Sequence, residues 1–297
     1  MEFRRLGRTG FRVSVLGLGA AGLGSGKLSE VETAKLIYTA LDSGINCIDT
    51  AECYGDSEIH IGKALGRNNN QVFVFTKCGH SSVSKELDWT TQTITDNLNQ
   101  SLVRLKREQL DLVNIHSCPR EKLIEGSVIE ALERAKEAGK VRHIGLSGDG
   151  KAAVLGLLSD KFDVLQTSLN IADQEAIELT LPVALEKDVG VIVKRPLANA
   201  VWRYGSKPDN SWLHTYWNRI QALNYPFLNH NDCFGLAIRF PLTHQIVSTA
   251  LVGTLNKLHL KMNIDSVKLG STLDPEIYKR IRARFLECSN GEWHGVG

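Results

Sequence analysis

Residues 15–22 read Val15-Leu16-Gly17-Leu18-Gly19-Ala20-Ala21-Gly22, or VLGLGAAG. This is G-x-G-x-x-G straight after an apolar run, the pattern of a phosphate-binding turn in a Rossmann domain. Such a turn needs its third glycine to open a helix, so that the helix N-terminus faces the pyrophosphate. Here Gly22 leads into Leu23-Gly24-Ser25-Gly26-Lys27-Leu28, and a helix cannot begin well before Ser29. The acidic residue expected about twenty positions on is also misplaced: Asp49 ends the next strand but comes late. We therefore read Gly17, Gly19 and Gly22 as close backbone packing at the end of the first strand. A dinucleotide can still touch that loop, at Ala20 and Ala21, by another geometry.

The rest of the chain repeats one unit. Short β-branched runs at Val15–Gly19, Asn46–Asp49, Val72–Thr76, Leu112–His116, Val141–Leu146, Val164–Thr167, Val191–Lys194 and Ile246–Val252 predict strands. Helical periodicity falls between and after them, at Glu30–Ser43, Ser57–Leu65, Thr90–Leu105, Ser127–Ala138, Lys151–Leu158, Leu181–Lys187, Asp232–Arg239 and Asn256–Met262. Strict strand–helix alternation of this length predicts a closed (β/α)8 TIM barrel. Phe3–Leu6 and Phe11–Val13, around Gly7-Arg8-Thr9-Gly10, predict an N-terminal β-hairpin. The 297 residues then form a single domain, 1–297, with no linker or low-complexity segment. One insertion, Asn199 to Asn231, breaks the rhythm. Trp212, Tyr216, Ile220 and Leu223 fall there at helical spacing and predict an extra packing helix, which leaves Trp202 as the ring for a pocket.

Composition excludes several classes. The net charge is +2, with both signs interspersed and no basic block, so no nucleic acid partner is expected. The N-terminus lacks the apolar core of a signal peptide, and no run reaches the length of a membrane span. Six scattered cysteines without C-x-x-C suit a reducing, cytoplasmic location. No strand carries H-x-H, which argues against a metal-dependent barrel hydrolase.

In such barrels the chemistry sits where strands end. Those ends carry Asp49, Lys77, His116, Ser147, Gln166 and Lys194-Arg195, with Tyr54 just beyond Asp49. Each alone has a structural explanation, as a turn cap, a solvated end or a packed ring. Together they suit proton donation to a carbonyl oxygen. Free tyrosine ionises near pH 10; an ammonium beside it favours phenolate. Lys77 can supply that charge, Asp49 can hold Lys77, and His116 can orient the substrate oxygen. The set cannot supply a hydride, so a nicotinamide cofactor is implied.

The stretches GINCIDTAECYGDSEIHIGKAL, VFVFTK, LDLVNIHSC, AGKVRHIGLS and GVIVKRPLANAVW resemble the aldo-keto reductase family from Arg4 to about Val267. The resemblance implies Tyr54 as acid–base, Lys77 and Asp49 as its tuning partners and His116 as orienter. It implies Ser147 and Gln166 on the nicotinamide carboxamide, and Leu197 within the segment that follows Lys194 and Arg195. LVGTLNKLHLKMN resembles the adenosine clamp, with Gly253 and Thr254 near phosphate and Asn263 on adenine. The chain departs from the family pattern at Gly148 (usually Asn), at Lys194 (often a stacking aromatic), at His259 (often a basic residue on the 2′-phosphate) and at Met262 (often Glu). The resemblance favours NADP through His259 and Lys257, with NAD as the alternative.

Other readings stay open. The reaction can run toward a carbonyl reduction or toward oxidation of a sugar or pyridoxal. The family also includes NADP-binding regulatory subunits, but no long N-terminal extension is present here for that role. Cys53, Cys78 and Cys118 flank the rim residues and read best as small buried thiols. A redox switch, or a metal site with His80, is the alternative. The loops Ser81–Trp89 and Pro119–Glu125 show no substrate preference. The short tail around Trp293 and His294 is expected near the pocket mouth. A small carbonyl compound is the expected partner; the sequence does not fix the oligomeric state.

Overall fold

The structure is a computed structural model, and it describes residues 1–66, 71–80, 88–268 and 270–296. The N-terminal hairpin pairs β1 (Phe3–Arg5) with β2 (Arg12–Ser14) antiparallel, Phe3 opposite Ser14. The barrel strands are β3 (Leu16–Gly19), β4 (Cys47–Asp49), β5 (Phe73–Cys78), β6 (Leu110–His116), β7 (Val141–Ser147), β8 (Val164–Ser168), β9 (Gly190–Lys194) and β10 (Val247–Val252). All pair in parallel, in chain order, and β10 returns to β3 with Ala250 opposite Leu16, so the sheet closes. The glycine pattern therefore does not open a Rossmann unit. A 3-10 turn, Ala21–Gly24, follows β3 instead of a helix. Gly17 is tightly packed, since a Cβ there would meet Leu251 Cδ2 at 2.8 Å. Gly19 and Gly22 are looser. The most constrained glycine is Gly24, outside the motif, where a Cβ would lie 1.7 Å from the Tyr54 carbonyl oxygen.

The helices are α1 (Glu30–Asp42), α2 (Ser57–Leu65), α3 (Thr91–Leu105), α4 (Arg120–Glu125), α5 (Ser127–Glu137), α6 (Gly150–Leu158), α7 (Glu175–Leu179), α8 (Leu181–Glu186), α9 (His214–Leu223), α10 (Cys233–Leu242), α11 (Lys257–Lys268) and α12 (Pro275–Ser289). Ser29 starts α1 with a full capping box to Glu32. Three helices go beyond the sequence expectation. α4 lies in the Pro119–Glu125 loop, α7 precedes α8, and α12 extends the chain after α11. The start of α12 is a strong local signal: the Asp274 side chain accepts from the Glu276 and Ile277 N–H groups, and Pro275 is the first helical residue. Of the Ser81–Trp89 loop, residues 81–87 lie outside the described residues.

The core has two layers. Inside the barrel, Cys47, Phe75, Leu112, Val164 and Ile192 meet Leu6, Phe11 and Val13, so the hairpin plugs the floor. Arg4 fixes the plug: its Nη1 donates to the Leu242 and Val247 carbonyls at 2.9 Å each, and its Nη2 to Ser271 Oγ. The larger cluster lies between strands and helices. With its floor filled, the barrel can open to a ligand at the other end, where the strands terminate.

Candidate active site

Parallel pairing brings the strand ends to one rim. Asp49 and His116 close β4 and β6, and Lys77 is the penultimate residue of β5. The register sets His116 beside Ser147 and Ser147 beside Gln166. Lys77 Nζ donates to Asp49 Oδ2 at 2.6 Å and to the Thr50 carbonyl at 2.7 Å; Gln166 Nε2 donates to Asp49 Oδ1 at 2.8 Å. Thr50 hydrogen-bonds Ser57, and Ser57 in turn donates to the Ala20 carbonyl. That chain, with the Gly24 contact, fixes the turn bearing Tyr54. Lys77 Nζ lies 5.0 Å from the centre of the Tyr54 ring, and the His116 ring stands edge-on to Tyr54 at 6.0 Å.

The charges follow from this packing. Burial would lower the Lys77 ammonium, but Asp49 and Tyr54 outweigh it and hold it above its ordinary range. Burial pushes the Tyr54 phenol up; Lys77 pulls it down, and Asp49 pushes it back. The sequence reading, in which Lys77 lowers the phenol, gave the right sign for one contribution and the wrong net direction, because desolvation is the larger effect. Tyr54 is thus a loaded proton donor at neutral pH. His116 is driven down to about 2, first by burial and then by Lys77, His80, Lys194 and Arg195, so its imidazole is neutral.

Asp49, Tyr54, Lys77 and His116 all line one cavity of about 600 Å³. Ala20, Ala21, Ser147, Gln166 and Lys194 line it too. Arg195, Gly253 and Thr254 also border a second cavity of about 580 Å³, which Leu197, His259 and Asn263 help to form. The two spaces share Arg195, Asn199, Leu251, Gly253 and Thr254 in their walls, and we refer to the pair, from the rim to α11, as a channel. Lys257 stands apart: it is exposed and lines neither cavity. Lys194 is not free to cover a ring, because its ammonium pairs with Asp149 at 2.8 Å.

Among the channel residues missed from sequence are two whose side chains suit a ligand. Arg203, which follows the LANAVW stretch, lines the outer cavity with His259. Trp212 lines the inner one, under the Arg195 guanidinium at 4.6 Å. The assignment of the two tryptophans is therefore reversed. Trp212 precedes α9, in a 3-10 turn, and is 53% exposed, whereas Tyr216, Ile220 and Leu223 form the buried stripe. Trp202 packs against Phe234 at 5.4 Å and lines neither cavity. The approach to this channel is backbone-strained: Arg195, Ala198, Asn199 and Ala200 all have positive φ. Of the tail it is Val296 that reaches the site, accepting from Arg195 Nη1 and Ser168 Oγ, whereas Trp293 packs on Phe285 and His294 meets Glu175, and neither lines the two cavities.

A nicotinamide dinucleotide fits these residues. Gln166 Oε1 is buried in the cavity wall with no hydrogen-bond partner among the described residues, an acceptor suited to a carboxamide N–H. Arg203 and His259 supply donors for phosphate in the outer cavity. Cys78 and Cys118 are buried, and burial pushes their thiols up, Cys118 to about 12. Neither is a poised thiolate. Among the described residues, no helix is long and apolar enough to cross a membrane.

Comparison with known proteins agrees with this geometry. L-galactose dehydrogenase of Arabidopsis thaliana is 29% identical over 99% of this chain and 97% of its own. D-threo-aldose 1-dehydrogenase of a Pseudomonas species is 25% identical over 88% of this chain and 91% of its own. The holo form of aldo-keto reductase AKR11C1 from Bacillus halodurans superposes with a TM-score of 0.84 at 26% identity, covering 96% of each chain. The model of the Aldo/keto reductase family matches residues 15–284. With eight parallel strands closed on themselves, a buried Lys–Asp pair beneath a tyrosine, and that match over nearly its whole length, the chain belongs to the aldo/keto reductase family of oxidoreductases.

Proposed function

We propose that the protein reduces an aldehyde or ketone to an alcohol with NADPH, and that Tyr54 is the general acid. The observation that carries this reading is the convergence of Asp49, Tyr54, Lys77 and His116 on one cavity that shares wall residues with a second, cation-bearing one. The nicotinamide, when bound, supplies the hydride. Tyr54 Oη gives its proton to the carbonyl oxygen, and the Lys77 ammonium stabilises the phenolate left behind. Asp49 keeps Lys77 charged and in place. The neutral His116 ring orients the substrate oxygen by a hydrogen bond. Gln166 Oε1 and Ser147 hold the carboxamide, and Arg203 with His259 favours a 2′-phosphate, hence NADPH over NADH. The free cysteines are compatible with a reducing compartment such as the cytoplasm.

Similarity to an L-galactose dehydrogenase and to a D-threo-aldose 1-dehydrogenase favours a second reading, oxidation of a sugar. The same atoms serve it in reverse, with Tyr54 accepting the proton. Aldehydes with NADPH and aldoses with NADP or NAD, assayed side by side, separate the two. The mechanism itself is tested by single-turnover hydride transfer at saturating cofactor. Tyr54→Phe should lower the rate by about 10²–10⁴-fold, the usual contribution of a positioned acid. A variant that keeps near-full rate would sink the assignment and bring a regulatory role forward.

A further inference from the structure

Beside the catalytic cavity lies a second cluster, which the proposed reaction does not use apart from His116. Glu52 and Cys53 follow β4, His80 follows β5, and His116 ends β6. One ligand atom from each lies within 4.8 Å of the others. The geometry points to a binding site here for a thiophilic divalent transition-metal ion of the Zn2+ class, held by Glu52, Cys53, His80 and His116.

Tetrahedral bonds of about 2.0–2.3 Å place ligand atoms roughly 3.3–3.8 Å apart. Two edges already have that length: Cys53 Sγ to His116 Nδ1 is 3.6 Å, and His80 Nδ1 to Glu52 Oε1 is 3.7 Å. The two imidazole rings are 4.5 Å apart. The remaining edges, at most 4.8 Å, need to contract by up to about 1.5 Å to reach that range.

An independent observation also calls for a ligand. The Glu52 side chain is fully buried, yet its Oε2 has no hydrogen-bond partner among the described residues. His80 Nδ1 is likewise buried without a partner. Buried polar atoms are almost always paired; Glu52 Oε1 already accepts from the His80 N–H at 2.9 Å, so a cation here satisfies His80 Nδ1 directly and Oε2 when the carboxylate binds through both oxygens. Mixed nitrogen, sulfur and oxygen donors select zinc or cobalt over magnesium or calcium. The charges also balance: the Glu52 carboxylate and the Cys53 thiolate cancel the ion's two positive charges and leave Lys77 to Asp49. Ligation releases the Cys53 proton, and any proton held on the buried Glu52 carboxyl, to solvent. If His116 binds through Nδ1, its ring proton must sit on Nε2, so metal occupancy would set the tautomer offered to substrate. That consequence rests on the proposed role of His116; the binding does not.

The test is a Co2+ titration of chelator-treated protein without cofactor or substrate. One ion per chain should bind and give tetrahedral ligand-field bands with a thiolate charge-transfer band, and Zn2+ should displace it. Cys53→Ser, at an exposed position that the fold tolerates, should abolish the charge-transfer band. His80→Asn should weaken binding by at least about tenfold, since losing even an outer partner of a metal ligand costs that much. Cys118→Ser and Cys288→Ser should leave the spectrum unchanged. Tyr54→Phe should keep the cobalt bands while losing reduction, so that failure of the metal site and failure of the reductase reading are separately visible. Octahedral or absent bands in the wild type, or a charge-transfer band surviving in Cys53→Ser, overturn the site.

Discussion

Lys77 and Asp49 form an ion pair whose side chains are 3% and 7% exposed. Removing one partner of such a pair strands the other charge, at a cost of about 3–5 kcal/mol. Lys77→Met should therefore destabilise the fold by about that much, besides slowing the reaction. Adding Asp49→Asn should restore much of the loss. Urea unfolding of the two variants checks this, and equal midpoints would show that the pair is not coupled. Arg203 poses a separate question at the same scale. It is an exposed cation whose value depends on a ligand. Arg203→Ala should weaken NADPH binding by at least about tenfold, near the lower end of what a charged hydrogen bond contributes, and leave NADH little changed. Fluorescence titration reads both, and a similar loss for the two cofactors would remove Arg203 from the phosphate site. Lys257→Ala should affect neither, because Lys257 lines no part of the channel.

At the scale of elements, the C-terminal tail is a strap fastened by carboxylates. Asp173 Oδ2 accepts from the Val296 N–H at 2.9 Å and from Tyr216 at 3.0 Å, and Glu175 accepts from the Gly295 N–H. Burial, reinforced by Asp149, pushes the Asp173 carboxyl up from 3.8 to about 6 despite its donors. A raised carboxyl makes the folded state bind its proton more tightly than the unfolded one. Its contribution is full below the ordinary value and is lost as pH rises through about 6. Wild type should thus lose up to about 3 kcal/mol relative to Asp173→Asn between pH 4 and pH 7. Parallel stability profiles would contradict the shift. Elements also show what the sequence could reveal. The barrel strands were legible because β-branched runs between helical periods have few alternatives, and the rim set followed from reading what ends each strand. Trp212 was misread because it keeps helical spacing with Tyr216 while lying before the helix begins. The Glu52–His80 contact was not legible: it joins two loops whose approach only the closed barrel defines. The sequence offered His80 with Cys53, Cys78 and Cys118; folding keeps Cys53 and turns the other two thiols into buried apolar surface.

For the molecule as a whole, closure is the governing fact. The hairpin, the floor of the barrel and the last strand depend on one another. Arg4 ties the first strand to the Leu242 and Val247 carbonyls, and β10 lies between β9 and β3. The bonds that hold β1 are therefore made by residues 238 and 243 positions further along the chain. During synthesis, β3 emerges early and must wait for Ala250 before its open edge finds a partner. Throughout that interval a row of unpaired backbone groups is exposed, and pairing of such long sequence separation is slow to form. The catalytic strands β4, β5 and β6 leave the ribosome well before the ring can shut. A nascent chain stalled short of β10 would hold Asp49, Lys77 and His116 but no finished rim to carry them, so the active site is complete only once β10 has been made.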